Sequence, residues 1–276
     1  MSPIERERQR YADQMTAGIG GDVRRLRAAF AATPREDFLG PPPWPLLGHA
    51  IGRVWTDDAR DLYQDVLVGL DVERGINNGQ PSLHARGLAA CDPHPGDTVL
   101  HVGAGTGYYT AMLAQLVAPD GSVIAYEIER DLAARAAVSL KPWPQASVRA
   151  VSGAEPPLPA CDVIYVNAGA THPLAAWLDA LRDGGRLLFP LTPDDGTGCM
   201  LLVTRLAGAR YAARSLMRVS FIACIGARDA AASAALRSAF ARGAVEAVRS
   251  LHRDDHPDES AWCAGSGWWL STRPPP

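Results

Sequence analysis

Lysine is nearly absent: Lys141 stands alone against 26 arginines in a chain of 276 residues. Thirty acidic residues offset these cations, so the formal net charge is −3 and the isoelectric point lies near 6.2. There is no basic surplus to hold nucleic acid, and none is expected as a partner. Cysteine is also sparse. The five, at positions 91, 161, 199, 224 and 263, lack the close pairing used by zinc sites and dithiol redox centres, so the expectation is a reduced, cytoplasmic protein without a metal. No apolar run approaches the ~20 residues that a bilayer span requires. The start, Met1-Ser2-Pro3-Ile4-Glu5-Arg6-Glu7-Arg8, carries both charge signs and no apolar core of signal-peptide type behind them. His252-Arg253-Asp254-Asp255-His256 has the i, i+4 spacing of a helical metal pair, but Pro257 follows and no third ligand is evident, so it reads as solvated surface.

Hydrophobic residues make up 47% of the chain and charged residues 21%, the balance of a globular protein with a sizeable core. The most informative stretch is Val99-Leu100-His101-Val102-Gly103-Ala104-Gly105-Thr106-Gly107. An apolar run of strand type breaks into glycines at every second position and then turns helical at Tyr108-Tyr109-Thr110. That arrangement presents backbone N–H groups and a helix N-terminus to a nucleotide-like ligand. A dinucleotide turn wants its third glycine where Tyr108 stands, and the Gly-Lys-Ser/Thr of a phosphate loop is missing. After a helix over 107–117 and a turn at Pro119-Asp120-Gly121, Ser122 to Tyr126 reads as a buried parallel strand that ends at Glu127. A carboxylate ~20 residues beyond the glycines is placed to accept both ribose hydroxyls. The alternative is that Glu127 caps a helix over 131–140.

Upstream, residues 4–32 read as helical, with Val23, Leu26, Ala29 and Phe30 at amphipathic spacing. Pro41-Pro42-Pro43-Trp44-Pro45 reads as an irregular connector packed by Phe38 and Trp44. In Gly75-Ile76-Asn77-Asn78-Gly79-Gln80-Pro81-Ser82-Leu83-His84-Ala85, polar side chains and glycine crowd in front of a proline that opens a helix. Such a loop is costly to bury without partners, so it belongs against a polar ligand or serves as an ordinary helix-capping turn. Downstream, 147–151, 162–166 and 186–191 read as further strands, with Leu174, Trp177, Leu178 and Leu181 at helical spacing between the last two. Residues 199–206 and 211–224 read as an antiparallel completion, 230–251 as helices, and Trp268-Trp269-Leu270 as a last short strand.

Gly-x-Gly-x-Gly with an acid ending the next strand resembles the first motif of S-adenosylmethionine-dependent methyltransferases. Pro34-Arg35-Glu36-Asp37-Phe38, the Gln80-Pro81-Ser82-Leu83-His84 helix start, Pro95 to Leu100, and Gly184 to Pro190 occur in the order found in protein-L-isoaspartate O-methyltransferases. The chain resembles that family over residues 28–225. The resemblance implies a doubly wound, mostly parallel Rossmann-like α/β sheet with an N-terminal helical segment and a C-terminal antiparallel extension. It divides the chain into 1–90 with the active-site loop, 91–206 as the S-adenosylmethionine-binding core, and 207–276 completing the same domain. Its donor site maps onto Gly103, Ala104, Gly105, Thr106, Gly107, Tyr108, Glu127, Ser152, Gly153 and Asn167, with Gln80 and His84 from the loop. The resemblance implies a peptide or protein carboxylate as acceptor, and the expectation is that the Gly79 amide, with Asn77 or Asn78, holds it where the family uses a serine.

Three departures stand out. Gly79 occupies the family's serine position, His101 stands where an acid is usual, and Val151-Ser152-Gly153 replaces Gly-Asp-Gly. A carboxylate, with a reference pKa near 4, needs no general base at neutral pH, so loss of the serine hydroxyl does not by itself remove the chemistry. Two rivals stay open. A small-molecule O- or N-methyltransferase would want a base near the donor, for which His172 is the candidate, and a non-catalytic cofactor-binding module would transfer no methyl at all.

Overall fold

Glycine and proline set most of the element boundaries in the computed structural model, which describes residues 1–48 and 52–276. Helix α1 (Pro3–Thr16) starts on a capping box in which Ser2 and Glu5 exchange side-chain and backbone hydrogen bonds. The helical stretch expected over 4–32 is divided into two helices. The segment Gly18-Ile19-Gly20-Gly21 intervenes, with Gly18 and Gly21 at positive φ, and α2 (Arg24–Ala32) begins beyond it. The proline-rich segment is also not an irregular connector throughout: β1 (Trp44–Gly48) pairs antiparallel with β2 (Gly52–Thr56). Pro45 fits because β1 meets its other neighbour, β3 (Leu67–Asp71), only at Leu46 and Leu47, so the proline's missing N–H breaks no bond on that side. Strand β4 (Ile76–Asn77) follows, then helix α3 (Pro81–Cys91).

Strand β5 (Thr98–Val102) leads through the glycine turn into α4 (Tyr108–Val117). Next come β6 (Ser122–Tyr126), α5 (Arg130–Ser139), β7 (Ala146–Arg149), β8 (Cys161–Val166), a six-residue α6 (Ala175–Ala180) and β9 (Leu181–Leu191). Leu181 is therefore the first residue of β9 and not the last of the helix. The C-terminal part consists of β10 (Gly198–Leu206), β11 (Arg210–Val219), α7 (Ala230–Arg242), β12 (Ser250–His252), β13 (Ala261–Gly265) and β14 (Trp268–Ser271). Of the helices read over 230–251, α7 stops at Gly243, whose positive φ ends it, and the end of that range is strand β12.

The chain gathers into two units, Met1–Asp97 with Ala104–Val151, and Thr98–Gly103 with Ser152–Pro276, so contacts interleave segments that are distant in sequence. The first unit holds α1 to α5, the four-stranded sheet β2-β1-β3-β4 and the parallel pair β6-β7. Leu39, Trp44, Leu46, Leu62 and Val68 form a buried cluster under the small sheet. The second unit holds eight strands in the order β13-β14-β12-β11-β10-β9-β8-β5. Pairing is parallel from β5 to β8 to β9 and antiparallel from β9 onward, which is the expected combination of an α/β core with an antiparallel extension. Among the described residues no helix is long and apolar enough to cross a membrane.

Candidate active site

In the first unit the turn and the carboxylate that follows β6 are joined directly. Glu127 is 6% exposed, its Oε2 accepts the Gly105 N–H at 2.7 Å, and its Oε1 accepts the Glu129 N–H at 2.9 Å. Glu129 is the residue before α5, so the same carboxylate also supports the start of that helix. Burial raises its pKa, against the backbone N–H groups of Glu129, Gly105 and Ile128, which favour the charged form. A carboxylate offers about four acceptor positions, so beside these backbone bonds it keeps room for a hydroxyl donor. That fits a ribose. Gly105 lies in the left-handed region, with Leu70 of β3 next to it: a Cβ there would be 3.3 Å from the Leu70 Cδ1.

Tyr108 contributes to this turn through its backbone at the helix start. Its side chain is buried edge-on against Phe38 at 5.6 Å, and the Arg35 guanidinium lies 5.8 Å from its ring centre. Ala104 and Thr106 are buried as well, and the Ala104 N–H donates to the Tyr126 carbonyl at 3.3 Å.

The loop after β4 is tied at each residue. Asn77 Oδ1 accepts the Gly79 N–H at 2.9 Å, an Asx turn that uses the donor expected to face the acceptor. Asn78 grips Val68 twice: its N–H donates to the Val68 carbonyl at 3.0 Å, and its Oδ1 accepts the Val68 N–H at 2.9 Å. Fixing Oδ1 leaves the Nδ2 hydrogens as the donor end of that side chain. Gln80 Nε2 donates to Asp65 at 2.9 Å. His84 is 1% exposed and stacks on Tyr109 with ring centres 3.7 Å apart and planes 20° from parallel. The Tyr109 hydroxyl reaches the Gly79 carbonyl at 3.5 Å.

The glycine at 79 follows from this packing. Its φ is +75°, and a Cβ there would lie 2.2 Å from His84 Nε2. The imidazole fills the space that a side chain on residue 79 would need. Gly79→Ser should lower the Tm by about 2–8 °C, from the ~1–2 kcal/mol cost of left-handed backbone in an L-residue. The clash with His84 adds to that cost, so His84→Ala should lower the Tm less in the Gly79→Ser background than in the wild type, as thermal unfolding of the single and double variants will show.

In the second unit, Gly103 lies against Asn167: a Cβ on the glycine would be 3.5 Å from the Asn167 backbone. The Asn167 N–H donates to the Val102 carbonyl at 2.8 Å, and its Nδ2 is 2.8 Å from His101 Nε2. Burial pushes the His101 pKa down to about 3. The ring that replaces the family's acid is therefore neutral, and it orients the Asn167 amide. Ser152 Oγ accepts the Ala154 N–H at 3.2 Å, and the Gly153 carbonyl accepts from Trp177 Nε1 at 2.8 Å. Gly153 also packs directly on Val102, whose Cγ1 would be 2.4 Å from a Cβ.

His172 sits 3.0 Å from the Thr171 hydroxyl and is half-buried, with its pKa lowered by that burial. His252 lies on a strand, stacked 3.9 Å from Trp269, so the helical spacing with His256 is not realised. Burial pushes the thiols of Cys161 and Cys199 up to about 12, and those of Cys224 and Cys263 to about 11. None of these four supplies a thiolate at neutral pH.

Tyr109, Arg35 and Asp65 received no role from the sequence. The motif Pro34-Arg35-Glu36-Asp37-Phe38 gives a partial signal. Arg35 and Glu36 both clasp the segment that leads to β3, through the carbonyls of residues 62, 64 and 66 and through the Tyr63 hydroxyl. Asp65 gives none, because its partners are 15 and 17 residues away.

A parallel strand that breaks into a glycine turn and a helix, with a buried carboxylate closing the next strand onto the turn's own N–H, fits a nucleoside cofactor, and with the family match that follows the class is that of the class I S-adenosylmethionine-dependent methyltransferases. The sequence matches the profile of the protein-L-isoaspartate(D-aspartate) O-methyltransferase family over residues 24–229. A protein-L-isoaspartate O-methyltransferase of Aeropyrum pernix is 30% identical over 230 residues, covering 81% of each chain. One from Methanopyrus kandleri is 36% identical over 194 residues, 68% of this chain and 78% of the relative. The crystal structure of a Plasmodium falciparum beta-aspartate methyltransferase in complex with S-adenosyl-L-homocysteine shares the fold, with a TM-score of 0.64 at 19% identity over 79% of this chain and 98% of that one. The chain belongs to the protein-L-isoaspartate(D-aspartate) O-methyltransferase family. Its cofactor is S-adenosylmethionine.

Proposed function

We propose that this enzyme methylates a carboxylate of a peptide or protein in the cytoplasm, with Glu127 and the turn 103–107 holding the donor and the loop 77–79 holding the acceptor. Residues 1–90 then carry the loop, 91–206 the donor site and 207–276 the remaining sheet. The roles of Ser152, Gly153 and Asn167 towards the donor, and of Gln80 and His84 beside it, rest on the family resemblance. The observation that carries the acceptor reading is the Asn78 side chain, whose pinned Oδ1 turns a neutral N–H donor group into the loop's free end.

S-adenosylmethionine supplies an activated methyl group. The acceptor carboxylate is ionised at neutral pH and is already a nucleophile. The chain's residues therefore have to bind it, align it and keep water out, and no side chain has to remove a proton. Neutral amide donors are suited to this, because they hold an anion without the full counter-charge of an arginine, which would draw electron density from the attacking oxygen. The Asx turn gives Gly79's N–H to Asn77, whose own Nδ2 donates to the Gly75 carbonyl at 3.4 Å, so Asn78 Nδ2 becomes the principal holding group.

Incubation with methyl-labelled S-adenosylmethionine and a panel of isoaspartyl, aspartyl and C-terminal carboxyl peptides tests this. Label that is lost in base is expected; base-stable label would favour the small-molecule or nitrogen reading, and none despite donor binding would favour the non-catalytic module. Asn78→Ala should raise the peptide KM about tenfold, the worth of one hydrogen bond to a charged group, and leave donor affinity unchanged. Full turnover and affinity in both Asn78→Ala and Asn77→Ala would refute the assignment.

A further inference from the structure

Helix α3 starts immediately after the acceptor loop, yet its N-cap residue, Gln80, makes no side-chain cap of its own. The cap comes from outside. Asp65 Oδ1 accepts the Ser82 N–H at 2.8 Å, and its Oδ2 accepts the Ser82 hydroxyl at 2.7 Å and Gln80 Nε2 at 2.9 Å. The carboxylate thus grips both residues flanking Pro81, at a helix end whose dipole favours negative charge. Asp65 is itself held from both sides. The fully buried Arg35 donates to the carbonyls of Leu62 and Gln64 before it, the latter at 3.0 Å, and of Val66 after it at 3.0 Å.

We propose that Asp65 is a positioning residue for methyl transfer: it carries the rigidity that Arg35 gives to residues 62–66 across to the end of the acceptor loop. This rests on the reading of the loop as the acceptor site. The Asn78 end of the loop is fastened to Val68 independently, so Asp65 sets the other end, where Gly79 meets His84 two residues beyond Ser82. Asp65 is solvent-exposed, and exposed carboxylates add little to global stability. Its effect therefore falls on the local order of the loop.

Asp65→Asn tests the proposal. The amide keeps one acceptor oxygen for the Ser82 N–H, but its other end cannot accept from the Ser82 hydroxyl or from Gln80. The expected result is a five- to tenfold fall in kcat for a carboxyl peptide, with peptide KM and S-adenosylhomocysteine affinity within twofold of wild type and Tm within a few degrees. Amide hydrogen exchange over residues 77–84 should accelerate at least fivefold, while that of α4 stays unchanged. Ser82→Ala, which removes one of the donors, should shift both readouts in the same direction by a smaller factor. Exchange is measured without any acceptor, so it decides the proposal even if the carboxyl reading fails for the wild-type protein. Unchanged exchange over 77–84 would overturn it. So would a parallel loss of Tm, donor affinity and kcat, because that pattern marks a residue of the general fold.

Discussion

Glu127→Ala should weaken S-adenosylhomocysteine binding about 100-fold. The reading gives this carboxylate both ribose hydroxyls, and two hydrogen bonds to a charged group at ~1.5 kcal/mol each amount to ~3 kcal/mol, or about two powers of ten in Kd. The turn also loses an anchor, since the Gly105 and Glu129 N–H groups both end on this side chain. Glu127→Gln retains one acceptor oxygen and should fall between the two. pH dependence supplies an independent check. Burial raises the pKa of Glu127 in the folded chain, so the carboxylate is protonated at a higher pH than in the unfolded chain. Above that raised pKa the native state carries a buried charge at some cost in stability, and the cost disappears as the pH falls through it. Ligand affinity runs the opposite way: the charged form is the stronger acceptor, so binding weakens on acidification, beginning above the usual carboxylate range. Calorimetric titration of wild type and Glu127→Gln between neutral pH and pH 5 should show that slope only in the wild type. If Glu127→Ala binds as tightly as wild type, the carboxylate serves only to start α5.

The readable parts of this chain were those whose physics is local. The glycines at 103, 105 and 107 and the acid at 127 announce themselves because a strand, a turn and a helix dictate residue type at fixed spacing, and the structure joins Gly105 to Glu127 within one hydrogen bond. The parallel strands were found for a similar reason, as short apolar runs between turn residues. The failures have physical causes. Four prolines between 41 and 45 argue against a strand, yet β1 forms because its pairing with β3 begins after Pro45. The apolar spacing around Val23 to Phe30 marks a helical stretch but not its division at the Gly18–Gly21 break. Of the amphipathic set Leu174, Trp177, Leu178 and Leu181, the last three are buried, but Leu174 is only half-buried at the N-cap and Leu181 belongs to a strand. In the loop, the need for a glycine at 79 was invisible because it arises from an imidazole five residues on, folded back and stacked on Tyr109. Asp65 and Arg35 act over still longer stretches, where sequence carries no periodic signal at all.

Arg35→Leu is expected to destabilise the protein by about 3 kcal/mol, lowering Tm by roughly 6–12 °C. Two effects oppose each other. A fully buried guanidinium is costly to desolvate, and replacing buried ions by apolar residues is often neutral or stabilising when a whole ion pair is removed together. Here the partners are backbone carbonyls, which cannot be removed. Leu62 and Val66 would lose the donors bound to their oxygens, whereas the Gln64 carbonyl keeps the Val66 N–H at 2.9 Å. Each stranded acceptor costs ~1–3 kcal/mol. The cation's contact with the faces of Tyr11 and Tyr108, at 5.6 and 5.8 Å, is also lost. Relief of desolvation favours the leucine, because the Nε of Arg35 is already buried without a hydrogen-bond partner among the described residues, but the two stranded carbonyls outweigh it. Arg35→Lys separates the two: it keeps a cation near the tyrosines, but one ammonium cannot reach carbonyls on both sides of Asp65 as a planar fork does, so its Tm should lie between those of wild type and Arg35→Leu. If Arg35→Leu unfolds at or above the wild-type temperature, desolvation outweighs the carbonyls, and the segment before β3 is held by its apolar packing instead.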